Sequence, residues 1–164
     1  MNIRKIEIER IGVTASKPFE TVVTALEAAV GHPDMNRFRQ ATKAASTFGE
    51  LERVVQAGLG PAGLMMFIHF DSGAIMRKEA GLDRPKSIRF VIGNPLIMKE
   101  MAKHVPDAGA YAPVTILVDE RRDGVPLSYD RMASLPAPYG NSAALGVARG
   151  LDTKIEQLLV ASAA

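Results

Sequence analysis

The chain has 164 residues, 47% hydrophobic and 23% charged, which fits one ordinary globular domain with a core of its own. Its formal charge is only +2 and its aromatic content 5% with no tryptophan, so it lacks both the field and the stacking platforms of a nucleic-acid binder. Absence of cysteine excludes thiol catalysis, cysteine-based zinc sites and disulfides, and no apolar run approaches the roughly 18 residues of a membrane span.

The first ten residues mix isoleucine with charge and carry no apolar signal region, which leaves the cytoplasm as the expected address. Residues 3–14 read as extended, with Ile6 and Ile8 on one face and Ile11 and Val13 on the other, a phase change that suggests a bulge near Arg10 or a strand buried on both faces at its end. Pro18 opens a helix whose apolar row is Phe19, Val22, Val23, Leu26 and Val30, stopped by Gly31, His32 and Pro33. Residues 33–46 are helical but polar, and read as a surface insertion. Thr47 and Glu50 form a capping box before Leu51, Val54 and Val55.

Residues 64–70 are apolar on both faces, the pattern of a central strand. Asp71 or Ser72 then caps a short helix that ends at Gly81. Residues 88–92 form another strand, followed by Asn94 as N-cap and Pro95 as first residue of a helix to about His104. Residues 114–118 and 125–129 pair as a hairpin around Asp123-Gly124. A helix over 142–161 closes the chain, with Gly146 and Gly150 expected on its apolar side. About five strands and five or six helices, with a local hairpin, predict a single α+β domain over 1–164. Its mostly antiparallel sheet has helices packed on it, and 142–162 is a C-terminal extension.

Four stretches together resemble the domain-of-unknown-function 302 family: Gly63-Leu-Met-Met-Phe-Ile-His-Phe-Asp-Ser-Gly73, Arg89-Phe-Val-Ile-Gly-Asn-Pro-Leu-Ile-Met98, Asp107-Ala-Gly-Ala-Tyr-Ala-Pro-Val114 and Val125-Pro-Leu-Ser-Tyr129. The Ile-Gly-Asn-Pro-Leu-Ile motif places it with a longer subgroup. The resemblance covers about residues 47–132 plus the N-terminal strand and helix. It implies a fold similar to the halves of the TATA-box-binding protein, and homodimer formation, but no reaction. Ser72 stands where many members carry a histidine.

Three groups of residues are candidate sites. Gly93, Asn94 and Pro95 form a strand-to-helix junction whose free N–H groups, at Leu96 and Ile97, could hold a carboxylate or phosphate. Lys86, Arg89, Lys99 and Lys103 surround that junction in sequence, and Tyr111 and Tyr129 could point hydroxyls into the same pocket. His69 and Asp71 share a strand face and could act as an acid–base pair or as two metal ligands, with Glu100 and His104 as further donors. Met65, Met66, Met76, Met98 and Met101 read as adaptable core. No metal or cofactor is expected. The leading function is a homodimeric small-ligand-binding protein, its site between the 89–98 junction and the helix after Asp71. Alternatives are an enzyme using His69 and Asp71, and an interaction module built on the C-terminal helix. Nucleic-acid and membrane partners are not expected.

Overall fold

In the computed structural model, which describes residues 1 and 3–164, each expected strand and helix forms. The order is β1 (Arg10–Ala15), α1 (Phe19–Ala29), α2 (Met35–Ala44), α3 (Phe48–Ala57), β2 (Met65–Asp71), α4 (Gly73–Ala80), β3 (Ser87–Gly93), α5 (Pro95–Ala102), β4 (Val114–Asp119), β5 (Val125–Asp130) and α6 (Ser142–Ala163). The strands form one sheet in the order β1-β5-β4-β3-β2, antiparallel at every pairing.

The helix ends follow their sequence signals. Thr47 and Glu50 close a reciprocal capping box on α3, Asn94 accepts from Leu96 N at 2.9 Å with Pro95 at the first position of α5, and Gly81 ends α4 at φ 66°. α2 buries none of its residues.

Strand alternation decides which residues enter the core. Phe90 and Ile92 of β3, Val114, Ile116 and Val118 of β4, and Val125, Leu127 and Tyr129 of β5 lie on one face. α1, α5 and α6 contribute to the same core, α1 with Phe19, Val22, Val23 and Leu26, and α6 with Ala144, Ala148, Leu151, Ile155, Leu158 and Leu159. Each fully buried Leu, Ile or Phe side chain contributes about 1.5–3 kcal/mol, so α6 is a principal stabiliser and not an appendage. Among the described residues, the other face of the sheet carries no helix.

Four expectations are corrected. β2 lies at the sheet edge. Its first half is covered, because Gly31 bridges it on the outer side, donating to Leu64 O and accepting from Met66 N. That approach requires glycine: a Cβ on Gly31 would stand 2.0 Å from Gly58 O, and one on Gly60 2.3 Å from Val30 C. The second half stays open, and Ile68 and Phe70 are 52% and 50% exposed. The double-sided apolar pattern thus reflects a covered start and an uncovered end. β1 begins only at Arg10, so the phase change upstream marks the strand's start and not a bulge within it. Gly146 and Gly150 are exposed, with nothing within 4 Å of a Cβ at either, because the buried row of α6 runs through Ala144, Ala148 and Leu151 on the opposite side. Met76 is 53% exposed, while Met65, Met66 and Met101 are buried as expected.

Candidate functional site: a groove on the open sheet face

The uncovered sheet face is built from the alternate residues of five strands. One row across it runs Phe70, Arg89, Leu117, Ser128 and Gly12. The next holds Ile68, Val91, Thr115, Asp130 and Arg10, placed by the same alternation. A groove of about 380 Å³ crosses these rows, lined by Arg89, Tyr111, Thr115, Leu117, Ser128 and the Arg10–Asp130 pair among others. Its size falls in the range of small-ligand sites, and its mixture of apolar floor and few polar groups is what such sites carry.

The charges of the groove are unequal. Arg10 grips Asp130 through two bonds, Nε to Oδ1 at 2.6 Å and NH2 to Oδ2 at 2.8 Å, and this holds the Asp130 carboxyl below its usual range. Arg89 makes no ion pair among the described residues. It is therefore the groove's available cation.

Tyr111 enters from the loop between α5 and β4. Its hydroxyl is 2.9 Å from that of Tyr139, and Tyr139 donates to Asp107 Oδ2 at 2.5 Å. Arg4 stacks 3.9 Å over the Tyr139 ring. The bond to Asp107, then that to Tyr111, push the Tyr139 phenol above its ordinary range.

The groove's far wall includes Met132 and Leu135, on the segment after β5. Asp152 of α6, 4% exposed, anchors that segment by accepting from Tyr129 Oη at 2.7 Å, Met132 N at 2.7 Å and Ala133 N at 3.1 Å. Burial, and then the bond to Asp152, raise the Tyr129 phenol. Tyr129 is thus a core residue.

The residues singled out from sequence do not form one cluster. Of the basic set, Arg89 reaches the groove, together with Tyr111. Lys86 pairs with Glu20. Lys99 and Lys103 both bond Glu100, holding its carboxyl at about 2. Gly93 lies four positions beyond Arg89, about 13 Å along the strand, so Lys86 and Arg89 cannot crowd the α5 start. The junction itself is self-contained: Asn94 Oδ1 takes the Leu96 N–H, Asn94 Nδ2 donates to Gly63 O at 3.1 Å, and only a dimple of about 120 Å³, lined by Phe67, Pro95, Met98 and Pro113, adjoins it. Ile97 packs against the core from α5. Gly93 is buried, and a Cβ there would press on Pro113 at 3.1 Å, a packing role.

The expected site between this junction and the helix after Asp71 does not exist as one place. Antiparallel pairing sets α4 at the Ser87 end of β3 and α5 at the Gly93 end, about 20 Å apart. His69 and Asp71 do share a face, but they have separate partners. His69 Nδ1 is 3.1 Å from Glu27 Oε1, and Asp71 is bound by Arg77 at 2.5 and 3.2 Å, which keeps its carboxyl low. Neither lines the groove, and His104 is exposed beyond α5. Among the described residues no three His, Asp or Glu side chains are placed to hold a metal ion, and no helix is long and apolar enough to cross a membrane.

Thr115, Ser128, Asp130, Arg10, Tyr139 and Asp107 were not singled out from sequence. The alternation Val125-Pro-Leu-Ser-Tyr-Asp130, apolar and then small or polar, carried the signal for a half-open strand.

The family model described as Domain of unknown function DUF302 matches residues 40–161, which takes in most of α6. Among solved structures, the chain is similar to the crystal structure of an uncharacterized conserved protein DUF302 from Bacillus stearothermophilus. The TM-score is 0.62 at 13% identity, covering 93% of this chain and 97% of that one, a likeness of fold. No curated protein matches.

Proposed function

The chain belongs to the DUF302 family, and on that premise we propose that it is a homodimeric protein that binds a small anionic or amphipathic molecule in the groove around Arg89. The observation that carries this reading is Arg89 itself. An arginine with no ionic partner among the described residues stands in a groove of about 380 Å³, with Leu117 beside it in the same row and hydroxyls at Thr115 and Ser128. A second groove, about 780 Å³, lies between the N-terminal segment and α6, but Glu7, Glu9, Asp152 and Glu156 set four carboxylates against its Arg131 and Arg149, a poor setting for an anion.

The dimer reading rests on a separate surface. Ile68 and Phe70 on β2, Ile75 and Met76 on α4 and Leu82 just beyond are each half exposed or more, along one edge of the sheet. Together they leave roughly 500 Å² of apolar surface, at the upper end for a monomer. Doubled across a two-fold axis this is about 1,000 Å², the lower bound for a stable interface. The open half of β2 adds unpaired backbone groups, for which a second copy supplies the matching strand. An open-faced antiparallel sheet also supports the likeness to TATA-box-binding-protein halves. Two arginines, one of them neutralised by Asp130, are too few for a DNA-binding saddle. The cytoplasmic address is part of this reading and rests on sequence alone.

Native mass spectrometry and a small-carboxylate screen by NMR test the proposal. The expected result is a dimer whose ligand-induced shifts map to β3, β4 and β5 and vanish in Arg89→Met. Binding that survives Arg89→Met would place the site elsewhere.

A further inference from the structure

The hydrogen-bond chain behind Tyr111 has a fixed direction. A carboxylate can only accept, so Tyr139 spends its one hydroxyl proton on the 2.5 Å bond to Asp107 Oδ2. The 2.9 Å bond between the phenols must then be donated by Tyr111 to the Tyr139 oxygen. Tyr111 has no second proton. What it keeps is a lone pair, and a phenol that ordinarily donates or accepts has become an acceptor alone. Arg4, stacked on Tyr139 at 3.9 Å, holds that ring in place.

The groove therefore presents two opposed demands. Arg89 is donor-only and unpaired among the described residues, and it calls for an anionic acceptor. Tyr111 and the Asp130 carboxylate are acceptors, and they call for a donor. A plain carboxylate would satisfy Arg89 but set its lone pairs against those of Tyr111. A molecule with a carboxylate and a nearby hydroxyl or ammonium satisfies both. We propose that the Arg89 groove selects small carboxylates that carry a hydrogen-bond donor beside the acid, such as 2-hydroxy or 2-amino acids with an apolar tail, and that Asp107 and Tyr139 act as positioning residues that impose this choice through Tyr111. This deepens the groove reading above and depends on it.

The test uses three probes of one skeleton, hexanoate, 2-hydroxyhexanoate and 2-aminohexanoate, titrated by NMR into the full chain, Arg89→Met, Tyr139→Phe and Asp107→Asn. The expected result is about tenfold tighter binding of the hydroxy or amino acid than of hexanoate, the worth of one added hydrogen bond. In Tyr139→Phe the Tyr111 proton is released and the preference should fall toward onefold, while hexanoate itself binds as well or better. Tyr139→Phe keeps the ring and the fold, and Asp107→Asn provides the second break. Arg89→Met should abolish binding of all three. Binding that depends on Arg89 but shows no preference, or a preference unmoved by both Tyr139→Phe and Asp107→Asn, overturns the selectivity and leaves the groove standing. No binding of any probe at millimolar concentration, or binding indifferent to Arg89, overturns both.

Discussion

Asp152→Ala should unfasten the segment that forms the groove's far wall. The carboxylate is almost fully buried and is the shared acceptor for Tyr129 Oη, Met132 N and Ala133 N. When it is removed, Met132 N keeps the Tyr129 oxygen at 3.0 Å, while the Tyr129 O–H and Ala133 N–H lose their acceptor. Each orphaned donor costs about 1–3 kcal/mol. Ala133 is only half-buried and can recruit water, so the expected loss is about 3 kcal/mol. In a chain of this size that lowers Tm by about 6–12 °C. Urea unfolding followed by circular dichroism measures the loss, and Tyr129→Phe completes a double-mutant cycle. In the double variant the orphaned hydroxyl is gone, but Met132 N loses its last acceptor, so the two effects offset and the cycle should lie within about 1 kcal/mol of additive. An Asp152→Ala loss below about 1 kcal/mol would refute the clamp. A clamp that exists should also be felt at a distance: the weakened Met132–Leu135 wall should loosen Arg89-dependent binding without any contact between Asp152 and the ligand.

Other outcomes follow from the same geometry. Tyr129 and Tyr139 both hold their protons beyond the ordinary phenol range, Tyr129 through burial and Tyr139 through its bond to Asp107. The folded chain thus binds more protons than the unfolded one above a pH of about 10. The stability from these phenols is intact below that pH and is lost as pH rises through the folded values. Ultraviolet titration should show these two of the chain's three tyrosines ionising together with unfolding; a tyrosinate signal from them in native protein would contradict the bonds drawn here. Phe70→Glu or Ile75→Glu should turn the dimer into a folded monomer by light scattering, and a wild-type monomer at high micromolar concentration would remove the edge interface altogether. His69→Ala should change stability by less than about 1 kcal/mol, since its pairing with Glu27 is exposed, and should leave groove binding untouched. Loss of binding in that variant would move the site to the α1 side of the sheet.

The elements were legible because each is locally over-determined. Thr47 with Glu50, Asn94 with Pro95, and Gly81 each mark a helix end by chemistry that acts within a few residues. The apolar rows of α1 and α6 and the alternation in β4 and β5 name their buried faces without reference to the rest of the chain. Strand order is a different kind of fact. The run Met65–Asp71 reads as central because both faces are apolar, yet the outer edge of its first half is bridged by Gly31 and that of its second half has no partner strand among the described residues. Local pattern records that a surface wants covering; it does not say whether a neighbouring strand, a glycine turn or a second copy covers it.

The site was hidden for the same reason. A strand followed by a helix start looks like a pocket edge because in parallel sheets such junctions gather at one end and converge on a ligand. Here β2 and β3 run antiparallel, so their two helix starts are carried to opposite ends of the sheet, and Asn94 spends both ends of its amide on closing its own junction. What antiparallel pairing brings together instead is residues at the same height on neighbouring strands: Arg89, Leu117 and Ser128 in one row, with Thr115 and Asp130 in the next. None of these is unusual in its own segment. Their meaning comes from register, which turns one exposed arginine among many into a groove cation with no ionic partner among the described residues.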